Sequence, residues 1–109
     1  MKRMGFCIGL KAEAIEEYKR AHAAVWPEVL EVISRANIRN YSIFLREPEN
    51  QLFAYWEYHG DDFASDAARM GESAAMRKWW EFCDPMQQPL ATRAQGELWA
   101  AMEEVFHLD

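Results

Sequence analysis

Two neighbouring segments with apolar side chains on both faces constrain the fold of this chain more than any other feature. Residues 38–46 and 51–59 alternate with the period of β-strands, and the Glu47–Asn50 stretch between them has turn composition. The first segment carries Tyr41, Ile43 and Leu45 on one face and Phe44 on the other; the second carries Leu52, Ala54, Trp56 and Tyr58 against Phe53 and Tyr55. Because an exposed apolar sheet is unfavourable in water, both faces of this hairpin need cover.

The segments before the hairpin predict a strand and a broken helix. Met4–Leu10 alternates large and small residues, and its glycines, Gly5 and Gly9, leave room for a backbone, a helix or a ligand to approach closely. Residues 12–37 have helical periodicity interrupted at Pro27, which predicts a kink or a junction of two helices.

The segments after the hairpin predict two short helices and one more strand. Asp61 or Asp62 is expected to cap a helix that ends near residue 69, and residues 72–83 form the next helix. Residues 85–96 read as a long loop, and residues 97–108 as the last strand.

The order strand, helix, strand, strand, helix, strand predicts an α+β domain of the ferredoxin-like, split βαβ type. Right-handed crossovers place the helices on one side of a four-stranded antiparallel sheet, so the opposite side is bare. No helix remains to cover it. We therefore expect a homodimer in which two copies pack their sheets face to face as a dimeric α/β barrel.

Composition excludes several classes of function. The 109 residues are expected to form one domain, 1–109, and 12 basic against 18 acidic residues give a net charge of −6, which disfavours nucleic acid as a partner. No apolar run is long enough for a membrane span, the N-terminus is unlike a signal peptide, and Cys7 and Cys83 read as buried thiols, so a cytoplasmic location is expected. The histidines show no metal-ligand spacing, and no cofactor-binding motif is present.

The candidate site begins with Tyr18 and His22. At positions i and i+4 of a helix their Cβ atoms lie about 5–6 Å apart and point the same way, so a phenol and an imidazole face the interior together. On the residues alone, a hydrogen-bonded core histidine is slightly the better interpretation. Trp79 and Trp80 likewise fit a core stripe with Met76 on pattern alone.

Several motifs in their order and spacing resemble the L-rhamnose mutarotase family over nearly the whole chain. They are Glu17-Tyr18-x-x-x-His22-x-x-Val25-Trp26-Pro27-Glu28, Asn40-Tyr41-Ser42-Ile43, Asn50-x-Leu52-Phe53, Trp79-Trp80 and Glu104-Val105-Phe106-His107-Leu108. The resemblance implies a dimeric α+β barrel that needs no cofactor and interconverts the α and β anomers of L-rhamnose, a small-molecule sugar substrate. It also implies that His22 is the catalytic proton donor and that Tyr18, Tyr41, Trp79 and Trp80 bind the sugar.

Two segments depart from the family pattern. Residues 60–76 are a few residues longer, and residues 85–96 contain Met86-Gln87-Gln88-Pro89-Leu90 where the family has an Asn-Pro-Asp-Asn-type loop. If these segments rim the sugar, L-fucose or another L-sugar is an alternative substrate. A non-catalytic sugar-binding domain and a haem or quinol monooxygenase remain alternatives, because similar dimeric barrels serve those functions.

Overall fold

The fold is organised around one antiparallel sheet, and the computed structural model describes residues 1–109. The strands are β1 (Lys2–Leu10), β2 (Ile38–Arg46), β3 (Gln51–Tyr58), β4 (Gln87–Gln88) and β5 (Ala100–Met102). Their order is β2-β3-β1, and both β4 and β5 pair with the remaining edge of β1. Two short strands thus share the fourth position of the sheet, and the predicted ferredoxin-like arrangement is confirmed.

Each of the two connections that cross over the sheet contains two short helices. They are α1 (Ile15–Ala23, after a 3-10 helix at Ala12–Ala14), α2 (Pro27–Arg35), α3 (Phe63–Met70) and α4 (Ala74–Cys83). The predicted break at Pro27 is confirmed: proline is the first residue of α2, where its missing N–H needs no partner. Asp62 and Ser73 cap α3 and α4 with their side chains. None of the helices combines the length and the apolar character needed to cross a bilayer.

All four helices pack on one face of the sheet. Buried side chains from α1 contact Ile8, Leu10 and Leu52, while α2 and α4 share a second cluster around Val29. The other face carries Phe44, which is 65% exposed, and Met102, which is 41% exposed. One sheet face of the single chain is therefore uncovered, as the two-faced pattern of the strands predicts.

The last strand is much shorter than predicted. Instead of residues 97–108, only Ala100–Met102 pairs with β1, and residues 103–109 are exposed. A salt bridge of 3.0 Å between Arg3 Nε and Glu104 Oε2 continues the contact where the backbone pairing stops. The prediction was wrong because alternation of apolar residues does not show over how many residues a neighbouring strand is free to form backbone hydrogen bonds.

The segment 85–96 is not entirely a loop. It begins inside a 3-10 helix, Asp84–Met86, and continues into β4, which pairs with the end of β1. A Cβ on Gly9 would lie 2.7 Å from the carbonyl oxygen of Gln88. The close approach that the glycine permits is therefore that of a neighbouring backbone.

Candidate active site

A cavity of about 160 Å³ lies between the helices and the sheet. All five residues selected from the sequence line it, namely Tyr18, His22, Tyr41, Trp79 and Trp80. A cavity of about 150 Å³ accommodates one benzene ring, whereas sites for drug-sized ligands measure about 300–1,000 Å³. The cavity therefore suits a ligand with a single six-membered ring.

His22 lies between this cavity and the protein surface. His22, Tyr41 and Trp79 also line a second, apolar depression of about 320 Å³. The imidazole is half-buried, so it is neither sealed in the core nor open to bulk water. A ligand in the cavity meets a histidine that still exchanges protons with its surroundings.

The last turn of α1 fixes the orientation of the His22 ring. Its Nδ1 lies 2.9 Å from the backbone carbonyl oxygen of Tyr18, one helical turn earlier. The imidazole also stacks on the Tyr18 ring at 4.0 Å and meets the edge of Trp79 at 5.2 Å between centroids. Because a carbonyl only accepts, Nδ1 carries the hydrogen in the neutral ring and Nε2 is left as a free base.

Burial keeps this imidazole neutral. Removal from water lowers the pKa of His22 below its ordinary value of 6.5, and the hydrogen bond to the Tyr18 carbonyl only partly opposes the shift. At pH 7 the ring is therefore uncharged, with a lone pair on Nε2. It accepts a proton first and donates it afterwards.

Tyr18 is a buried donor rather than a second base. Its hydroxyl accepts a hydrogen bond of 3.2 Å from Gln87 Nε2, and burial strongly raises its pKa. The phenol therefore stays protonated at neutral pH. Its hydroxyl is not bonded to the imidazole, so Tyr18 orients His22 through its backbone and ring and keeps the hydroxyl for the cavity.

Tyr41 reaches the same cavity from β2, on the face that it shares with Ile43. The register between β2 and β3 shifts between Arg39 and Ser42, and Asn40 takes a left-handed conformation with φ of 52°. Although 43% of Tyr41 is exposed, burial around its hydroxyl raises its pKa to about 12. Tyr41 is thus another protonated hydroxyl at the opening of the cavity.

The two tryptophans of α4 combine the roles that the sequence left open. Trp79 is buried in the cluster with Val29, and its ring centroid lies 5.1 Å from that of Trp26. Trp80 is half-buried beside the same cluster. Both also line the cavity, so the core stripe of α4 supplies one wall of the site.

The cavity is also lined by Asp84, Gln87 and Trp99, which were not selected from the sequence. Burial raises the pKa of Asp84. All three lie after α4: Gln87 falls in the predicted loop and Trp99 in the predicted last strand, whereas Asp84 lies between the predicted helix and that loop. The only sequence signal was the departure of residues 85–96 from the family pattern. No group of three or more His, Cys, Asp or Glu side chains is arranged to hold a metal ion.

Comparisons with known proteins cover all or nearly all of the chain. The family model for L-rhamnose mutarotase matches residues 3–108. L-rhamnose mutarotases from Oceanobacillus iheyensis and Lactiplantibacillus plantarum are each 33% identical over 109 residues, covering 100% of both chains. The crystal structure of an L-rhamnose mutarotase from Formosa agariphila is 27% identical, with a TM-score of 0.78 and 100% coverage of both chains. A Nitrosomonas europaea protein assigned as an antibiotic biosynthesis monooxygenase shares the fold at 15% identity and a TM-score of 0.59, covering 92% of this chain and 84% of its own.

Proposed function

The chain belongs to the L-rhamnose mutarotase family, and we propose that it is an isomerase that interconverts the α and β anomers of L-rhamnose. One observation carries the mechanism. A neutral imidazole, oriented by the Tyr18 carbonyl, borders a cavity sized for a single sugar ring. Ring opening needs one group that takes and returns a proton near neutral pH, and histidine suits this task.

In the proposed reaction, His22 is the catalytic residue. Nε2 removes the proton from the anomeric hydroxyl, and the electrons of that O–H bond form the C1=O1 double bond. The C1–O5 bond breaks with its electrons on O5, which takes the proton back from the imidazolium. Rotation about C1–C2 turns the other face of the aldehyde toward O5, and the reverse proton transfers close the ring as the second anomer.

The other residues carried over from the family would bind the sugar. Tyr18 and Tyr41 are protonated hydroxyls suited to hydrogen bonds with sugar hydroxyls. Trp79 and Trp80 offer apolar surface to the C–H face and the methyl group of a deoxy sugar. Equal binding of both anomers leaves the interactions of the site free to favour the open, rotating form.

Anomer exchange measured by NMR tests this proposal directly. We expect the protein to accelerate exchange of L-rhamnose above the buffer rate, and L-fucose should be run beside it because residues 60–76 and 85–96 depart from the family pattern. Exchange at the buffer rate on both sugars would contradict the proposal. Sugar binding without exchange would instead support a non-catalytic binding domain.

We further propose that the protein is a homodimer joined through its sheets. The face opposite the helices exposes Phe44, Phe53 and Met102, and a second copy of the same face offers a matching apolar surface. A cytoplasmic location is also proposed, because Cys7 and Cys83 are both free thiols, as expected in a reducing compartment.

A further inference from the structure

Gln87 is a buried polar residue in the wall of the cavity. It belongs to β4, where it pairs with Leu10 of β1, and only 6% of it is exposed. The side-chain amide therefore has no bulk water to satisfy it. Its partners must come from the protein or from a ligand in the cavity.

Only half of this amide is satisfied within the chain. Nε2 donates to the Tyr18 hydroxyl at 3.2 Å, whereas the buried Oε1 has no hydrogen-bond partner. It is the only buried side-chain nitrogen or oxygen atom in the structure without one. A native protein rarely leaves such an acceptor unpaired unless the atom has a task.

The partner of Gln87 is incompletely satisfied as well. The Tyr18 hydroxyl accepts from Nε2, and its own hydrogen has no acceptor in the chain. Burial raises the Tyr18 pKa, so that hydrogen stays in place at neutral pH. Side by side in the wall of the cavity, the two residues hold one donor hydrogen and one acceptor oxygen that have no partner within the chain.

A sugar hydroxyl has the complementary pair of functions, because its oxygen accepts and its hydrogen donates. We propose that Gln87 is a substrate-binding and specificity-determining residue, which holds one non-anomeric hydroxyl of the sugar jointly with Tyr18. Oε1 accepts from that hydroxyl and the Tyr18 hydroxyl donates to it. The inference rests on the proposed mutarotase function and names a residue for the segment in which this chain departs from its family.

The test compares wild type, Gln87→Met and Gln88→Met. Methionine keeps the length of the side chain without its hydrogen bonds, and Gln88 is the exposed neighbour in the same strand. Exchange kinetics are measured by NMR on L-rhamnose and on its 2-, 3- and 4-deoxy analogues. Wild type should discriminate about tenfold against the one analogue that lacks the bound hydroxyl.

Gln87→Met should raise the KM for L-rhamnose about tenfold and abolish discrimination against that same analogue. Gln88→Met should behave as wild type. Tyr18→Phe should lose discrimination against the same deoxy analogue. If a thermal melt shows that Gln87→Met does not fold, the Tyr18→Phe variant tests the inference in its place. Loss of discrimination against one and the same analogue in both variants indicates a lost contact with one sugar hydroxyl, whereas a structural defect would affect all the sugars.

An unchanged KM and unchanged discrimination in Gln87→Met would overturn the inference. So would an equal loss on all four sugars, because that pattern describes a damaged site rather than a lost contact. A wild-type protein without exchange activity would overturn the proposed function and this inference together, whereas an active wild type with an unaffected Gln87→Met overturns this inference alone.

Discussion

Replacing His22 with asparagine separates its proton-transfer role from its structural role. The Asn amide nitrogen takes a position similar to that of Nδ1, so it retains a donor for the Tyr18 carbonyl, which lies 2.9 Å from Nδ1. It has no counterpart of Nε2. His22→Asn should therefore fold and bind sugar nearly as wild type does, while it lacks the base.

The expected loss is large because His22 is the only histidine that lines the cavity. A positioned acid or base contributes about 10²–10⁴-fold, which corresponds to about 2.7–5.4 kcal/mol of transition-state stabilisation. Tyr18 cannot substitute, since burial holds its hydroxyl in the protonated form. KM should change little, because the proton transfer occurs on the way to the transition state.

The pH dependence has a definite sign. Burial lowers the His22 pKa below 6.5, so kcat/KM should be level above about pH 6.5 and fall tenfold per pH unit below the lowered pKa. The native state binds this proton less tightly than the unfolded chain does, so the stability contributed by neutral His22 is present above pH 6.5 and is lost as pH falls through the lowered pKa. A melt at each pH separates lost activity from unfolding.

The assay is NMR exchange between the anomers, with the buffer rate subtracted at each pH. His59→Asn is the matched control, because His59 is exposed and interacts with Glu57 outside the cavity. It should keep the wild-type rate and profile. A His22→Asn variant within a few-fold of wild type, or an acid limb retained in that variant, would refute the assignment of His22 as the base.

Three further variants test the surroundings of the site. Trp79→Ala should destabilise the protein by about 3–5 kcal/mol in denaturant melts, because Trp79 is buried in the cluster around Val29. Trp80 is half-buried, so Trp80→Ala should chiefly raise KM. A larger loss of stability in Trp80→Ala than in Trp79→Ala would contradict these packing assignments. Phe44→Glu should give a monomer in analytical ultracentrifugation, because it places a charge on the apolar sheet face. Leu30 is an exposed apolar residue on α2, so the control variant Leu30→Glu should remain a dimer. A dimeric Phe44→Glu variant would exclude the sheet face as the interface. Asp84→Asn should raise the melting temperature at pH 7 but not near pH 3. Burial raises the Asp84 pKa above 3.8, so the folded protein is destabilised only when this carboxyl group is charged. An equal change in melting temperature at both pH values would refute this cause.

Local features of the chain were predictable because they depend on neighbours in sequence. The break at Pro27 follows from one missing donor, and the shared direction of Tyr18 and His22 follows from helical spacing. The hairpin of β2 and β3 was likewise predictable from alternation and turn composition. The register shift beside Asn40 left no comparable pattern, although it lets Ile38 and Tyr41, three residues apart, line the same cavity.

Residue spacing and turn composition were enough to predict most of the elements, the uncovered sheet face and the pairing of a phenol with an imidazole on one helix. The contact of Gln87 with the Tyr18 hydroxyl was not predictable, since these residues are 69 positions apart and meet because β4 pairs with the end of β1. The end of the last strand at Met102 was not predictable either. Local structure depends on the spacing of residues along the sequence, so it can be predicted from that spacing. Packing of distant segments produces the two-residue strand, the unpaired amide oxygen and the volume of the cavity, so these features cannot.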